Sequence, residues 1–472
     1  MYEPGWTSLL PPLLAIGLAI ASRQVYIALA GGIWLGYSLL LGGAPLLGLA
    51  ASVDAIVAVL GSASDAKVII FTLLIGSLMT TIEASGGVRG FIAWLEARRW
   101  ANNGKRAQWL AFAVGIGIFI ESNITVLVAG SVARPLIDRY KVAREKLAYI
   151  IDSTSAPVCI LIPLNAWGAF NLSLLGKAGV EDPLGVFVAS IPLNLYAFAA
   201  VLLTAWVISR DWNVGPMAAA EQRTRAGKIH WPNTALAAAQ ETATSATVAD
   251  DDKAGLARNM VLPLLVMVLG MPLGLWITGD GNLARGSGST SVLWAVLAAL
   301  VTSWLLLLTQ RAMNVTQLTS LFLRGAGDLL PLAIILLLAL ALGGVARELG
   351  TGAWIASQVP TDAVPVLMLP ALFFCAAFIA FSVGSSWGTF AIMIPVAIPA
   401  AAAIGLPAAP FLAAVLSGGI FGDHASPISD TTVVSSLASG SDHIEHVRTQ
   451  IPYALVAGSA AMIGFALMGL AV

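Results

Sequence analysis

The sequence predicts an all-α polytopic membrane protein, and three observations carry that class. Hydrophobic residues make up 58% of the 472 residues and charged residues only 10%, with a mean hydropathy of +0.87, whereas a soluble globule carries about 25% charged residues. Runs at 25–41, 292–308, 329–345 and 453–472 approach the ~20 apolar residues that a spanning helix needs, and none shows the short alternating pattern of a barrel strand. Lys and Arg gather in a few short connections, as they do in a chain threaded through a bilayer.

Taken in order, the N-terminal stretch MYEPGWTSLL has no Lys or Arg before Arg23. It lacks the basic start of a cleaved signal, so residues 1–22 are expected to remain as an extra transmembrane helix. The basic groups are Arg98, Arg99, Lys105 and Arg106; then Arg134, Arg139, Lys141, Arg144 and Lys146; then the connection from Arg210 to Arg258. The positive-inside rule puts all three on the cytoplasmic side, with Arg23, Arg285 and Arg347 left outside. Between Arg106 and Arg134 there is too little chain for two crossings of ~20 residues, although both ends lie inside. A re-entrant hairpin at about 107–133, turning at Glu121-Ser122-Asn123, resolves this, because non-helical backbone is tolerated at membrane depth where it lines an enclosed cavity.

The second part of the chain repeats the plan. Apolar segments at about 363–404 flank Gly384-Ser385-Ser386-Trp387-Gly388-Thr389, and the following connection has no positive charge, so this hairpin opens outward. Each hairpin precedes a helix with a polar break: about 147–176, broken at Asp152-Ser153-Thr154-Ser155-Ala156-Pro157, and about 411–440, broken at Asp423-His424-Ala425-Ser426-Pro427. The reading gives two inverted repeats, 23–209 and 259–472, with about 11 full spans plus two hairpins, joined by a polar cytoplasmic linker at 210–258. The linker's Asp250-Asp251-Asp252 run is read as a solvated charge run.

Ionisable groups at membrane depth mark ion, proton or substrate sites. A dehydrated cation takes about six hard oxygen ligands, from carboxylates, hydroxyls, amides and carbonyls freed where helices break. The first hairpin offers Glu121, Ser122, Asn123 and Thr125, and the second Ser385, Ser386 and Thr389, with Trp387 as a cavity neighbour. The breaks offer Asp152, Ser153, Thr154 and Ser155 from one half, and Asp423, His424, Ser426, Asp430, Thr431 and Thr432 from the other. Isolated hydroxyls such as Thr72, Thr204 and Ser303 are read as bonding their own helix, but clusters combining hydroxyls with Gly or Pro, three of them with a carboxylate, are read as functional. Glu121, Asp152 and Asp423 compete as proton carrier. His424 either exchanges protons or orients Asp423. The stretch Asp442, His443, Glu445, His446 and Arg448 is read as a solvated charged turn.

Other classes fit poorly. A net charge of −1 without an aromatic-interleaved basic tract excludes nucleic acid as a partner. Cys159 and Cys375 lie in apolar runs and read as small buried hydrophobes. No HExxH string marks a metallohydrolase, and no enzyme or cofactor is expected.

The strings GDHASPISDTTVVSS at 422–436, SDHIEHVRTQIPYAL at 441–455 and AREKLAYIIDSTSAPVCILIPLNAWGAF at 143–170 closely resemble the NhaC-type sodium/proton antiporter family. The resemblance implies an ion-transporter-superfamily fold with an elevator-like moving region, working as a homodimer in the bacterial cytoplasmic (inner) membrane. It also places the ion and substrate region on Asp152, Ser153, Thr154, Asp423, His424, Ser426 and Asp430. The expected Na+ ligands are Asp152, Asp423, Ser386 and Thr389. Where the family pattern has two aspartates and an aromatic, this chain has Glu121-Ser122-Asn123-Ile124, similar to the hairpin tip of sodium-coupled carboxylate transporters. Sodium/proton antiport is therefore the leading expectation, and sodium-coupled transport of a small carboxylate or amino acid the alternative.

Overall fold

A computed structural model describes residues 5–22, 24–97, 103–119, 122–163, 165–228, 255–281, 286–351, 354 and 364–470. Glu121, the Asp250–Asp252 run, Arg23, Arg98, Arg99 and Arg285 lie outside the described residues, as do the side chains of Asn123 and Asp430. All regular structure among the described residues is helical, which satisfies backbone groups within each segment where no water is at hand.

The first part runs α1 (Leu10–Ser22), α2 (Val25–Leu40), α3 (Pro45–Gly61), α4 (Ala63–Ala84) and α5 (Gly87–Ala97). A paired α6 (Gly104–Gly117) and α7 (Ser122–Arg139) follow, then α8 (Arg144–Ser153), the single turn α9 (Ala156–Cys159) and α10 (Ala166–Lys177). α11 (Pro183–Ser190), α12 (Leu195–Arg210) and the short α13 (Pro216–Arg225) complete it. The second part holds α14 (Arg258–Thr278), α15 (Gly288–Thr309), α16 (Val315–Asp328) and α17 (Leu330–Glu348), followed by a second pair, α18 (Val364–Val383) and α19 (Ser386–Ala403). Last come α20 (Ala408–Ala425), α21 (Asp430–Ser439) and α22 (His443–Gly469).

Seven described helices are long and apolar enough to cross a membrane: α4, α14, α15, α17, α18, α19 and α22; counting the bent pairs α2–α3 and α11–α12 gives nine. The chain is a multi-pass membrane protein. Its core is built on α8 and α20, whose residues 145–153 and 410–420 are all buried. Around them α7 packs on α21, α10 on α19, and α18 on α20, whereas α4, α14, α15 and α16 form a neighbouring group.

The isolated hydroxyls behave as expected for two of three: Thr72 donates to the Val68 carbonyl at 2.9 Å and Thr204 to the Ala200 carbonyl at 2.8 Å, while Ser303 finds no partner among the described residues. Cys159 is buried, but Cys375 is exposed on the outer face of α18. The apolar run around Cys375 supplies lipid-facing surface rather than core, which corrects the expectation of two buried thiols.

Candidate functional site

The site begins where α8 stops. After Ser153 the chain turns at Thr154 and Ser155, and Pro157, which has no N–H to give, restarts it as one turn only. The Ser155 N–H and hydroxyl both donate to the Asp152 carbonyl, at 3.2 and 3.0 Å, and Thr154 bonds back to the Ile150 carbonyl at 2.8 Å. Asn165 then caps α10 through the Gly168 N–H at 3.0 Å, while its amide donates to the carbonyls of Phe119 at 2.9 Å and Cys159 at 2.7 Å. One side chain thereby ties the α6–α7 tip to the break in its own half. At that tip Thr125 donates to the Ile118 carbonyl, and Ser122 is buried. Gly115 is required there, since a Cβ would run into the Thr154 hydroxyl.

The second half is built alike. α20 ends at Ala425, and the Ser426 hydroxyl donates to the Phe381 carbonyl at 2.7 Å, tying break to hairpin. Gly384, at φ +71°, makes the hairpin turn against the backbone of Ile428, where a side chain would neither fit nor adopt the angle. Ser385 caps α19 through the Gly388 N–H at 3.2 Å, and Thr389 returns its hydroxyl to the Ser385 carbonyl at 2.9 Å. Trp387 lies half-buried against Trp167, with ring centroids 4.5 Å apart, and against Phe170 at 4.9 Å. Residues 384–388 have the form G-x-S-x-G. The turn joins two helices rather than a strand and a helix, and Ser386 donates to Asp423 Oδ2 at 3.1 Å rather than facing a histidine base.

The two breaks meet at Asp152 and His424. His424 Nε2 lies 3.2 Å from Ser153 Oγ and 3.7 Å from Asp152 Oδ2, and its Nδ1 lies 2.6 Å from the Tyr196 hydroxyl. Thr432 donates to Asp152 Oδ2 at 3.4 Å, and Thr431 contacts Ser429 at 3.0 Å. Gln450 donates to both Asp152 Oδ2 at 2.6 Å and the His424 carbonyl at 2.7 Å. Asp152 Oδ1 is buried and has no hydrogen-bond partner among the described residues.

His446 overturns the reading of 442–448 as a solvated turn. Arg448 is exposed, but His446 is fully buried, with Nε2 2.8 Å from Gln450 Oε1 and 3.9 Å from Asp152 Oδ2. Its Nδ1 lies 2.8 Å from Ser436 Oγ, which also meets His443 Nδ1 at 3.1 Å. Asp442 caps α22 through the Glu445 N–H at 3.1 Å, so the helix is already under way here and turns His443, His446 and Gln450 onto one inward face. Asn165, Tyr196, Ser436, His446 and Gln450 were all missed by motif reading. The i, i+3, i+7, i+10 stripe of His443, His446, Gln450 and Tyr453 was the available signal for two of them, His446 and Gln450, which are the residues of α22 that face Asp152.

A bundle of apolar helices whose two deepest members break at carboxylates, against paired helices, is the form of a secondary transporter. The profile of the Na+/H+ antiporter family matches residues 176–470, more than half of the chain. An uncharacterized protein of Haemophilus influenzae is 34% identical over 98% of this chain and 90% of its own length. The arginine/ornithine antiporter ArcD of Halobacterium salinarum and the malate-2H(+)/Na(+)-lactate antiporter of Bacillus subtilis are each 34% identical over 25% of this chain, and over 26% and 27% of their own lengths. In fold, the chain is similar to the Alcanivorax borkumensis YdaH transporter, with a TM-score of 0.54 and 15% identity over 90% of this chain and 88% of that one. The Neisseria gonorrhoeae MtrF structure gives a TM-score of 0.54 at 11% identity, over 91% and 85%. The chain belongs to the Na+/H+ antiporter family, and the two of these relatives that carry a named activity are antiporters.

Proposed function

We propose that the protein is an antiporter that exchanges Na+ for H+ across the bacterial cytoplasmic membrane by alternating access, with Asp152 and Asp423 as the carboxylates that take cation and proton in turn. The observation that carries this is Asp152: fully buried, bonded through one oxygen only, and set where both breaks meet. A carboxylate in that position accepts either a proton or a cation, and occupancy by one excludes the other. Asp423, with the Ser386 hydroxyl on its Oδ2 and Thr389 one turn along the same helix, is a second oxygen-rich position. His446, Ser436 and His443 form a hydrogen-bonded chain leading from Asp152 towards the half-buried start of α22, and serve as the proton's route.

The inverted-repeat plan is supported by the correspondence between halves: helix pair, fully buried helix, polar break, then a helix packed on the other half's pair. On this reading the two pairs and the two breaks travel together as the moving unit of an elevator, in a homodimer. A second reading, sodium-coupled transport of a small carboxylate or amino acid, is favoured by the organic solutes named for both the Halobacterium and Bacillus relatives.

The test is reconstitution in liposomes, following internal pH while a Na+ gradient is imposed. Exchange predicts immediate proton movement, abolished by Asp152→Asn and by Asp423→Asn and slowed about 100-fold by His446→Ala. Sodium that moves no protons, together with an amino acid or carboxylate that accumulates with it, would replace the first reading by the second.

A further inference from the structure

A cavity of about 650 Å³ opens where α10 finishes and α4 and α15 begin, the end of the bundle that the positive-inside rule places outside. Its size lies in the range of small-molecule sites, and none of its lining residues belongs to the Asp152 cluster. Set in its wall is an ion pair between helices of different groups: Lys177 Nζ of α10 lies 2.7 Å from Asp65 Oδ2 of α4. The Asp65 side chain is 8% exposed, whereas that of Lys177 keeps 27% of its surface open. Glu181 and Asp182 also line the cavity, with Asp182 engaged in capping α11 through the Gly185 N–H at 2.9 Å. Ser173, another lining residue, is 8% exposed, and its hydroxyl has no partner among the described residues.

The chemistry of this wall discriminates among solutes. A bare Na+ at Asp65 would face the Lys177 ammonium, and a simple anion at Lys177 would face Asp65 with Glu181 and Asp182 nearby, so each single charge meets a like charge. A molecule carrying both signs meets none. We propose that this cavity is a reception site for a zwitterionic α-amino acid, whose carboxylate pairs with Lys177 and whose ammonium pairs with Asp65 as the internal ion pair opens. Each protein charge then exchanges one charge-assisted hydrogen bond for another, and the Ser173 hydroxyl gains the partner it lacks. For the cavity's role as an entrance this rests on the second reading above, transport of a small organic solute; the binding itself is tested without it.

The experiment measures equilibrium binding of each of the twenty L-α-amino acids to the purified full-length protein in detergent, with no ion gradient. The tightest binder is then compared with its analogues lacking the carboxylate or the ammonium. The proposal expects at least one amino acid to bind, both analogues to be at least about tenfold weaker, and Asp65→Asn and Lys177→Met each to lose a similar factor. Because either variant leaves a charge unpaired and weakens the fold, Ser173→Ala is the gentler probe: about two- to tenfold weaker binding at an unchanged melting temperature. Asp423→Asn should bind normally, and that separates this site from the ion site even if sodium/proton exchange fails in liposomes. No binding by any of the twenty, equal binding of the one-charge analogues, unchanged affinity in all three cavity variants, or loss of binding in Asp423→Asn would each overturn it.

Discussion

Gln450 holds both ends of the site's central contact, since one amide nitrogen donates to Asp152 and to the His424 carbonyl. A buried acceptor left without its donor costs about 1–3 kcal/mol. Gln450→Leu, close in size but without hydrogen bonds, should therefore lower stability by at least that much and shift the pH dependence of exchange; a melting curve and a pH–rate profile in liposomes check both. An unchanged profile would reduce Gln450 to a packing residue. At this scale the sequence was informative where polarity interrupts an apolar run. Asp152, Ser153, Asp423 and His424 stood out for that reason, and the structure brings Asp152, Ser153 and His424 into contact. Tyr196 did not stand out, because one tyrosine in an apolar helix looks like packing until its hydroxyl is seen 2.6 Å from His424 Nδ1.

At the scale of elements, both breaks were legible because Pro and clustered hydroxyls mark helix ends locally. The phase of α22 was not, since it depends on where Asp442 starts the helix and which face tertiary packing turns inward. The linker held a comparable surprise. α13 docks on the start of α8, with Arg223 paired to Glu145 at 2.8 Å, and the fully buried Lys146 bonded to Asp211 at 2.6 Å and facing Glu221 at 3.9 Å. Burial pushes the Glu221 carboxyl above its ordinary value, with Lys146 pulling the other way. Lys146→Met should leave Glu221 and Asp211 to the more exposed Arg225, 3.7 and 2.8 Å away, costing about 1–3 kcal/mol, seen as a lower melting temperature and faster amide exchange in α13. For Asp211, partial burial acts upward but the hydrogen bond and charge of Lys146 outweigh it, holding the carboxyl at about 2. The Lys146 part of this belongs to α8, but Arg225 of α13 also pairs with Asp211 at 2.8 Å; through that pair the docked form binds the proton less readily than the free form, so its share of docking is complete above the ordinary carboxylate value of about 4 and is lost as pH falls towards about 2. Amide exchange in α13 across that window is the measurement; protection that grows on acidification would contradict it.

For the whole molecule, the helical multi-pass class followed from composition together with the length and pattern of the apolar runs, because the bilayer leaves few alternatives. The grouping of α4, α14, α15 and α16 beside the site helices did not, since helix-on-helix packing is decided by surfaces that look equally apolar in sequence. A cation that binds only the folded protein stabilises all of it. At 100 times its dissociation constant, Na+ should add about 2.7 kcal/mol, visible as a raised melting temperature that K+ does not reproduce and Asp423→Asn abolishes. A shift that survives in Asp423→Asn would put the cation elsewhere.

The two cysteines give the molecule a use beyond its chemistry. Cys159 is sealed inside the bundle, while Cys375 faces outward from α18, the first arm of the second helix pair. A lipid-soluble thiol dye would thus mark one position on the unaltered chain, and quenchers set at known bilayer depths would then read how far that arm rises or sinks during a transport cycle.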